Sequence, residues 1–255
     1  MRVSKRFFCI YNLGDHIFLL WFLNNAAKLY PDVDFSFCPR QPYLDEVRRL
    51  AAKLPNLEIA EKNDGHNLDG WMGQDNIYGR FRGDGSRFID FQIVFHRMLA
   101  EKIGLPNWPI IDRRSMLLPA ENMSDNHPLK DESFDVLFIN SAAMSGQCSG
   151  WNQERIHELA VKTARRYRTV VTHPCGCSAP VTTQLGMKLC HLGELASRCR
   201  IVAGVTNSPF LSTFNELAFP NVKMWLNYSQ DCVNFDNDRV RHCREINDIA
   251  DALSL

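Results

Sequence analysis

A chain of 255 residues that is 45% hydrophobic, 11% aromatic and 23% charged can bury two cores of about 120 residues each, which excludes a disordered chain. Lysine plus arginine equals aspartate plus glutamate, 29 against 29. No net field therefore draws the chain to phosphate backbones or anionic membranes, and nucleic acid is not an expected partner. The start is basic and then apolar, but Asn12, Asp15 and His16 cut it short of a signal-peptide core. The apolar run at 17–23 falls far short of the roughly 20 residues that span a bilayer. The nine cysteines are odd in number and scattered over both halves, so free thiols in a reducing, cytoplasmic compartment are expected.

In chain order, residues 6–11 predict a buried strand, Asn12 to Asp15 a turn, and 17–28 a helix apolar almost all round that must lie against a sheet. A strand at 34–38, a helix at 43–54 and a strand at 57–60 complete a parallel βαβ series with right-handed crossovers. Residues 61–87 break the pattern with six of the fourteen glycines interleaved with Trp71, Tyr78 and Phe81, as in a binding loop or lid. A helix follows at 88–103. The proline-rich stretch 107–131 supplies the linker, placed at 119–131 between an N-terminal domain of 1–118 and a C-terminal domain of 132–255. The second series reads strand 134–140, helix 152–167, strand 169–172, helix 192–199, strand 200–205, helix 210–217, strand 222–226 and a terminal helix at 246–253. The fold class is α/β, two Rossmann-like domains facing a cleft.

In open α/β sheets ligands bind beyond the carboxyl ends of strands, which singles out three turns. In Asn12-Leu13-Gly14-Asp15-His16, glycine permits close backbone approach, and a carboxylate at a helix mouth serves as a general base or merely as a cap. In Val205-Thr206-Asn207-Ser208-Pro209, a capped helix start with proline exposes amide groups suited to a diphosphate, or is an ordinary cap. The loop 141–150, with Ser141, Ser145, Gly146 and Gln147, offers hydroxyls and amides to phosphate but lacks a P-loop lysine.

Other motifs carry less. Gly146-Gln147-Cys148-Ser149-Gly150 matches a nucleophile elbow with cysteine, yet the strand ends near Asn140, too early for one. Cys175-Gly176-Cys177, with His173 before it, lacks the paired C-x-x-C spacing of structural zinc and reads as thiols in a turn. His157-Glu158 gives no H-E-x-x-H and reads as a solvated helix face.

The chain resembles glycosyltransferases of GT-B architecture, of the ADP-heptose:lipopolysaccharide heptosyltransferase type (glycosyltransferase family 9). Leu13-Gly14-Asp15 opens an apolar helix ending in Lys28-Leu29-Tyr30-Pro31-Asp32, followed by Phe35-Ser36-Phe37. The resemblance resumes at Phe138-Ile139-Asn140, at Leu192-Gly193-Glu194-Leu195-Ala196 and at Arg200 to Thr206. It implies Asp15 as catalytic base, and a nucleotide-sugar held by the 141–150 loop and by Thr206, Asn207 and Ser208. It also implies a glycan or glycolipid acceptor near Gly14, His16, Trp71, Arg80 and Arg82. The chain departs from the family pattern at Val205-Thr206-Asn207, where that pattern has Asp-Thr-Gly. It also lacks the diphosphate-side lysine, for which Arg155, Arg80 and Arg82 are the candidate replacements.

The implied activity is inverting, metal-independent transfer of a sugar from a nucleotide-sugar donor, the nucleotide-sugar being substrate and no cofactor being needed. The alternatives are a GT-B-like protein that binds nucleotide-sugars without catalysis, and a sugar-nucleotide epimerase. Neither the base, the sugar nor the oligomeric state is written in the sequence.

Overall fold

The computed structural model describes residues 3–71, 88–108, 117–142, 152–228 and 239–255. The chain divides into two compact units, Met1–Asn122 and Met123–Leu255.

The first unit is built on a parallel sheet. Strand β1 (Val3–Phe8) leads through Asn12 into helix α1 (Leu13–Leu29), then β2 (Val33–Cys38), a 3-10 turn at Gln41–Tyr43, α2 (Leu44–Leu50), β3 (Leu57–Ile59), β4 (Leu68–Asp69) and α3 (Phe88–Lys102). The order across the sheet is β3-β2-β1-β4, with β1 and β2 in register from Val3 opposite Val33 to Phe8 opposite Cys38. Helix α1 is buried from His16 to Asn24 and again at Ala26 and Ala27, as its all-round apolar sequence requires. Each fully buried Leu, Ile or Phe contributes roughly 1.5–3 kcal/mol, so Ile17, Leu20, Phe22 and Leu23, all 0% exposed, fasten α1 firmly to the sheet. Where α1 ends, Asn56 donates through Nδ2 to the carbonyls of Ala27, Tyr30 and Val33 at 3.0, 3.2 and 3.0 Å. The Ala27 carbonyl needs such a donor because the helix ladder runs out there, and the Tyr30 and Val33 contacts tie the turn and the start of β2 to the same side chain.

The second unit contains β5 (Phe134–Ile139), α4 (Gln153–Arg166), β6 (Thr169–Val171), α5 (Leu189–Ala196), β7 (Cys199–Val205), α6 (Ser208–Ser212), β8 (Met224–Tyr228), β9 (Val240–Cys243) and α7 (Ile246–Ala252). The sheet order is β6-β5-β7-β8-β9, all pairs parallel. The face α4 buries is Ile156, Leu159, Ala160 and Thr163, the four positions its period selects. Gly204, in β7 beside Ile139, has φ +143, and a Cβ there would lie 2.2 Å from the Ile139 carbonyl oxygen. Only glycine lets β5 and β7 approach this closely.

Within each unit a short polar segment is tied to that unit's own elements. In the first, Asn122 Nδ2 donates to the carbonyls of Leu50 and Ala51. In the second, the buried His127 donates from Nε2 to Glu194 Oε2 at 2.8 Å and accepts the Leu129 N–H at Nδ1, while Arg198 holds the other Glu194 oxygen at 2.7 Å. Burying Glu194 is tolerable because both oxygens are paired.

Several boundaries differ from the sequence reading. Helix α1 starts at Leu13, because Asn12 has extended dihedrals and caps it, so Gly14 and Asp15 belong to its first turn. Helix α2 stops at Leu50, where Ala51 turns extended, four residues before the expected end. Helix α5 ends at Ala196 and Cys199 already opens β7. Helix α6 ends at Ser212, not at 217. Strands β4 and β9, both at sheet edges, were not expected; neither shows the apolar run that marks an interior strand.

Candidate functional site

Both sheets reverse their strand order once, and the crevice outside such a reversal is where doubly wound proteins bind ligands. In the first sheet the reversal separates β1 from β4; in the second it separates β5 from β7. The turns singled out in the sequence follow β1, β5 and β7.

At the first reversal, Asp15 sits at the third position of α1, and its Oδ2 accepts the N–H of Asn12 at 2.9 Å. Burial pushes its carboxyl up to about 6 from an ordinary 3.8, against the opposing pull of the Asn12 and Asp15 backbone N–H groups. A carboxyl poised there exchanges a proton near neutrality, as a general base must. Nearby, burial raises the Cys9 thiol to about 12, with the charges of Asp15 and Asp69 adding to the effect. Tyr11, exposed at the mouth, is raised by its partial burial and by Asp69, Cys9 and Asp15.

His16 is 0% exposed. Its Nδ1 lies 2.8 Å from the Asn12 carbonyl, and its Nε2 accepts the Arg40 N–H at 3.1 Å. That pairing fixes the neutral tautomer with the proton on Nδ1, and burial lowers its pKa in the same direction. His16 thus ties the β1 turn to the β2 turn. Gly14 lies partly exposed in the first helical turn. Trp71 is 8% exposed, edge-on to Tyr11 and Phe18 at 6.3 Å and tilted against Phe95 at 5.0 Å, so it fastens the end of β4 to α1.

A cavity of about 350 Å³ opens beside this turn, at the carboxyl ends of β1, β2 and β3, lined among others by Cys9, Arg40, Gln41, Lys62 and Asn63. Arg40 carried no signal in the sequence; its role emerges only from the backbone bond to His16.

At the second reversal, Asn207 caps α6 by accepting the Phe210 N–H at 3.1 Å, and its Nδ2 donates to both the carbonyl and the hydroxyl of Ser141 at 3.0 Å. One amide side chain therefore clamps the loops that leave β5 and β7. Thr206 is 2% exposed, its N–H bonded to the Tyr228 carbonyl and its hydroxyl to Asn227 Oδ1. Ser208 stands partly exposed at the start of the helix.

Behind Ser141, the fully buried Asn140 accepts at Oδ1 from the N–H groups of Thr172 and His173 at 3.1 and 2.8 Å, and donates from Nδ2 to the His173 carbonyl at 2.8 Å. These bonds lock the ends of β5 and β6 together. Neither Asn140 nor Asn227 was given a site role from the sequence; an asparagine at or beside the end of an otherwise apolar strand is the signal that marks them.

Ser145, Gly146, Gln147, Arg80 and Arg82 lie outside the described residues. Arg155 reaches Asn247 Oδ1 at 3.2 Å, on the outer side of α4. The seven described cysteines, Cys9, Cys38, Cys175, Cys177, Cys190, Cys199 and Cys243, are all free thiols. Among the described residues no group of three or more His, Cys, Asp or Glu side chains is placed to hold a metal ion, and no helix is long and apolar enough to cross a membrane.

The class defined by these features is a doubly wound α/β protein of two parallel-sheet units, each with polar turns at its strand reversal. No family model matches the chain, and no curated protein sequence matches it. Solved structures do match. A glycosyl transferase family 9 protein from Veillonella parvula is 13% identical, with a TM-score of 0.50 over 100% of this chain and 90% of that one. The E. coli heptosyltransferase WaaC with ADP-2-deoxy-2-fluoro heptose is 13% identical, with a TM-score of 0.53 over 95% and 93%. The iron-containing dodecameric glycosyltransferase TibC from enterotoxigenic E. coli is 12% identical, with a TM-score of 0.54 over 94% of this chain and 63% of that one. The chain is thus similar in fold to these glycosyltransferases.

Proposed function

We propose that this protein is a glycosyltransferase that moves a sugar from a nucleotide-sugar to a hydroxyl of a glycan or glycolipid, with inversion and without a metal. The observation that carries the reading is Asp15, a carboxyl pushed up to about 6 at the strand reversal of the first unit, in a fold similar to that of heptosyltransferases. In this reading Asp15 takes the proton of the acceptor hydroxyl as that oxygen attacks the anomeric carbon, and the nucleoside diphosphate leaves from the opposite face.

Ser141, Asn207 and Ser208 take the donor side. The Ser141 and Ser208 hydroxyls and the backbone N–H groups at the start of α6 stabilise the departing phosphate, with Asn207 holding Ser141 in place and Thr206 supporting them from behind. Helix α6 has five residues, so its macrodipole is short and local hydrogen bonds supply most of the effect. Gly14 takes the acceptor side, while His16 and Trp71, both buried, position the turn.

Incubating the protein with a panel of nucleotide-sugars and glycan acceptors, with and without EDTA, tests the reading. The expected result is EDTA-insensitive transfer with inverted anomeric configuration. Binding without turnover on any acceptor supports the non-catalytic alternative, and conversion of the donor with no acceptor present supports the epimerase.

A further inference from the structure

The loop between β6 and α5 carries Cys175-Gly176-Cys177, which the transferase reading leaves without a role. The loop is held at both ends. Asn140 grips His173 through its N–H and its carbonyl at 2.8 Å each. Beyond the cysteines, the chain returns beside β6, with Val171 N–H bonded to the Pro180 carbonyl at 3.0 Å and Thr182 N–H to the Val171 carbonyl at 2.9 Å. Gly176 takes φ +77 between the cysteines, a left-handed turn that folds the two side chains to one side. The sulfurs stand 3.4 Å apart, in contact through a shared S–H. Cys175 also lines a groove of about 630 Å³ along α4, together with Gln153, His157, Val161 and Arg165, so a small reagent reaches the sulfur.

We propose that Cys175 and Cys177 form a dithiol site that undergoes reversible oxidation to an intramolecular disulfide by exchange with a low-molecular-weight disulfide. The thiolate of one cysteine attacks a sulfur of the reagent, forming a mixed disulfide and expelling one thiol. The second cysteine gives up its proton and attacks the protein sulfur of that mixed disulfide, expelling the other thiol. The protein loses two protons and two electrons, and the reagent is reduced to two thiols that carry them. The held loop makes the second step intramolecular and fast. Partial burial, together with the hydrogen bond to Cys177, raises Cys175 to about 11, so Cys175 is held as the thiol at neutral pH and its minor thiolate form is the one that exchanges. This site stands independently of the transferase reading.

The test uses the full chain, equilibrated with glutathione disulfide, alkylated and digested with trypsin. Residues 169–188 form one tryptic peptide whose only cysteines are Cys175 and Cys177. The expected result is loss of two hydrogens from this peptide, at least about tenfold faster than glutathione adducts accumulate on peptides 29–40 and 189–198, which carry the buried Cys38 and Cys190. Cys175→Ser and Cys177→Ser should each carry a persistent mixed disulfide instead. Repeating the reaction in denaturant should remove most of the rate advantage. Two glutathione adducts on the wild-type peptide, two free thiols at full exposure to reagent, or an advantage unchanged by denaturant would each overturn the proposal.

Discussion

Asn207 donates to both oxygens of Ser141 at 3.0 Å while its own carbonyl caps α6, so one side chain joins the two loops flanking the reversal of the second sheet. Asn207→Ala removes the cap and both donations at once, and is expected to cost about 2–3 kcal/mol. Asn207→Asp keeps the acceptor for Phe210 and loses the donors to Ser141, with an expected cost nearer ~1 kcal/mol. Urea unfolding of the two variants reads the difference, and nucleotide titration should show weaker binding in both. Equal stability of the two variants would mean that the cap on Phe210 contributes nothing, and wild-type stability in Asn207→Asp would mean the same of the Ser141 link.

Asp15→Asn should abolish transfer and yet stabilise the fold. With its folded-state pKa raised from 3.8 to about 6, the Asp15 carboxyl contributes stability below pH ~4 that is lost as pH rises through 6. The amide carries no charge to desolvate, so the melting temperature at pH 8 is expected to rise by on the order of 5 °C and to match wild type at pH 4. Wild-type kcat/KM should climb with pH through about 6, and the variant should lose about 100-fold or more. Full activity in the variant would remove Asp15 from the reaction.

His96 is 0% exposed, against Phe22 at 5.6 Å and Phe95 at 6.1 Å. Burial lowers its pKa from 6.5 to about 4, partly offset by the Phe18 backbone. Its neutral form favours the fold above pH 6.5, and that contribution is lost as pH falls through about 4. His96→Phe keeps the ring contacts without a titrating group, so the loss of melting temperature between pH 6.5 and 4 should be smaller than in wild type. An unchanged slope would place the acid sensitivity elsewhere.

Gly204→Ala drives a Cβ to 2.2 Å from the Ile139 carbonyl oxygen, at φ +143. Backbone must move, and the expected cost is about 3 kcal/mol or more, with a large fall in soluble yield. Gly186→Ala is the control: its φ of +66 is also left-handed, but its Cβ meets nothing within 4 Å, so it should cost only about 1 kcal/mol. Urea midpoints of both variants decide whether strand approach, rather than dihedral strain alone, demands the glycine.

Long apolar periods made most of this architecture readable from residues alone. The face of α4, Ile156 to Thr163, follows directly from its spacing. The start of α1 did not, because Gly14 and Asp15 are turn formers by preference, and only the capping at Asn12 turns them into helix. Strands β4 and β9 escaped because edge strands need little apolar character. The turns after β1, β5 and β7 were legible as candidate ligand loops; the contact between Ser141 and Asn207 was not. That contact depends on β5 lying beside β7, a matter of strand order that no local pattern encodes.

The uniformly parallel ladders of both described sheets bear on how the chain is made. Neighbouring parallel strands cannot zip outward from a tight hairpin; each ladder waits for a whole crossover segment to leave the ribosome. The β1–β4 pairing, Phe7 opposite Leu68, must span some sixty intervening residues, so the Asp15 turn acquires its final walls only late in synthesis of the first unit. Until then the apolar surface of α1 has no sheet to cover it on that side, the kind of transient exposure that makes incomplete chains prone to aggregate.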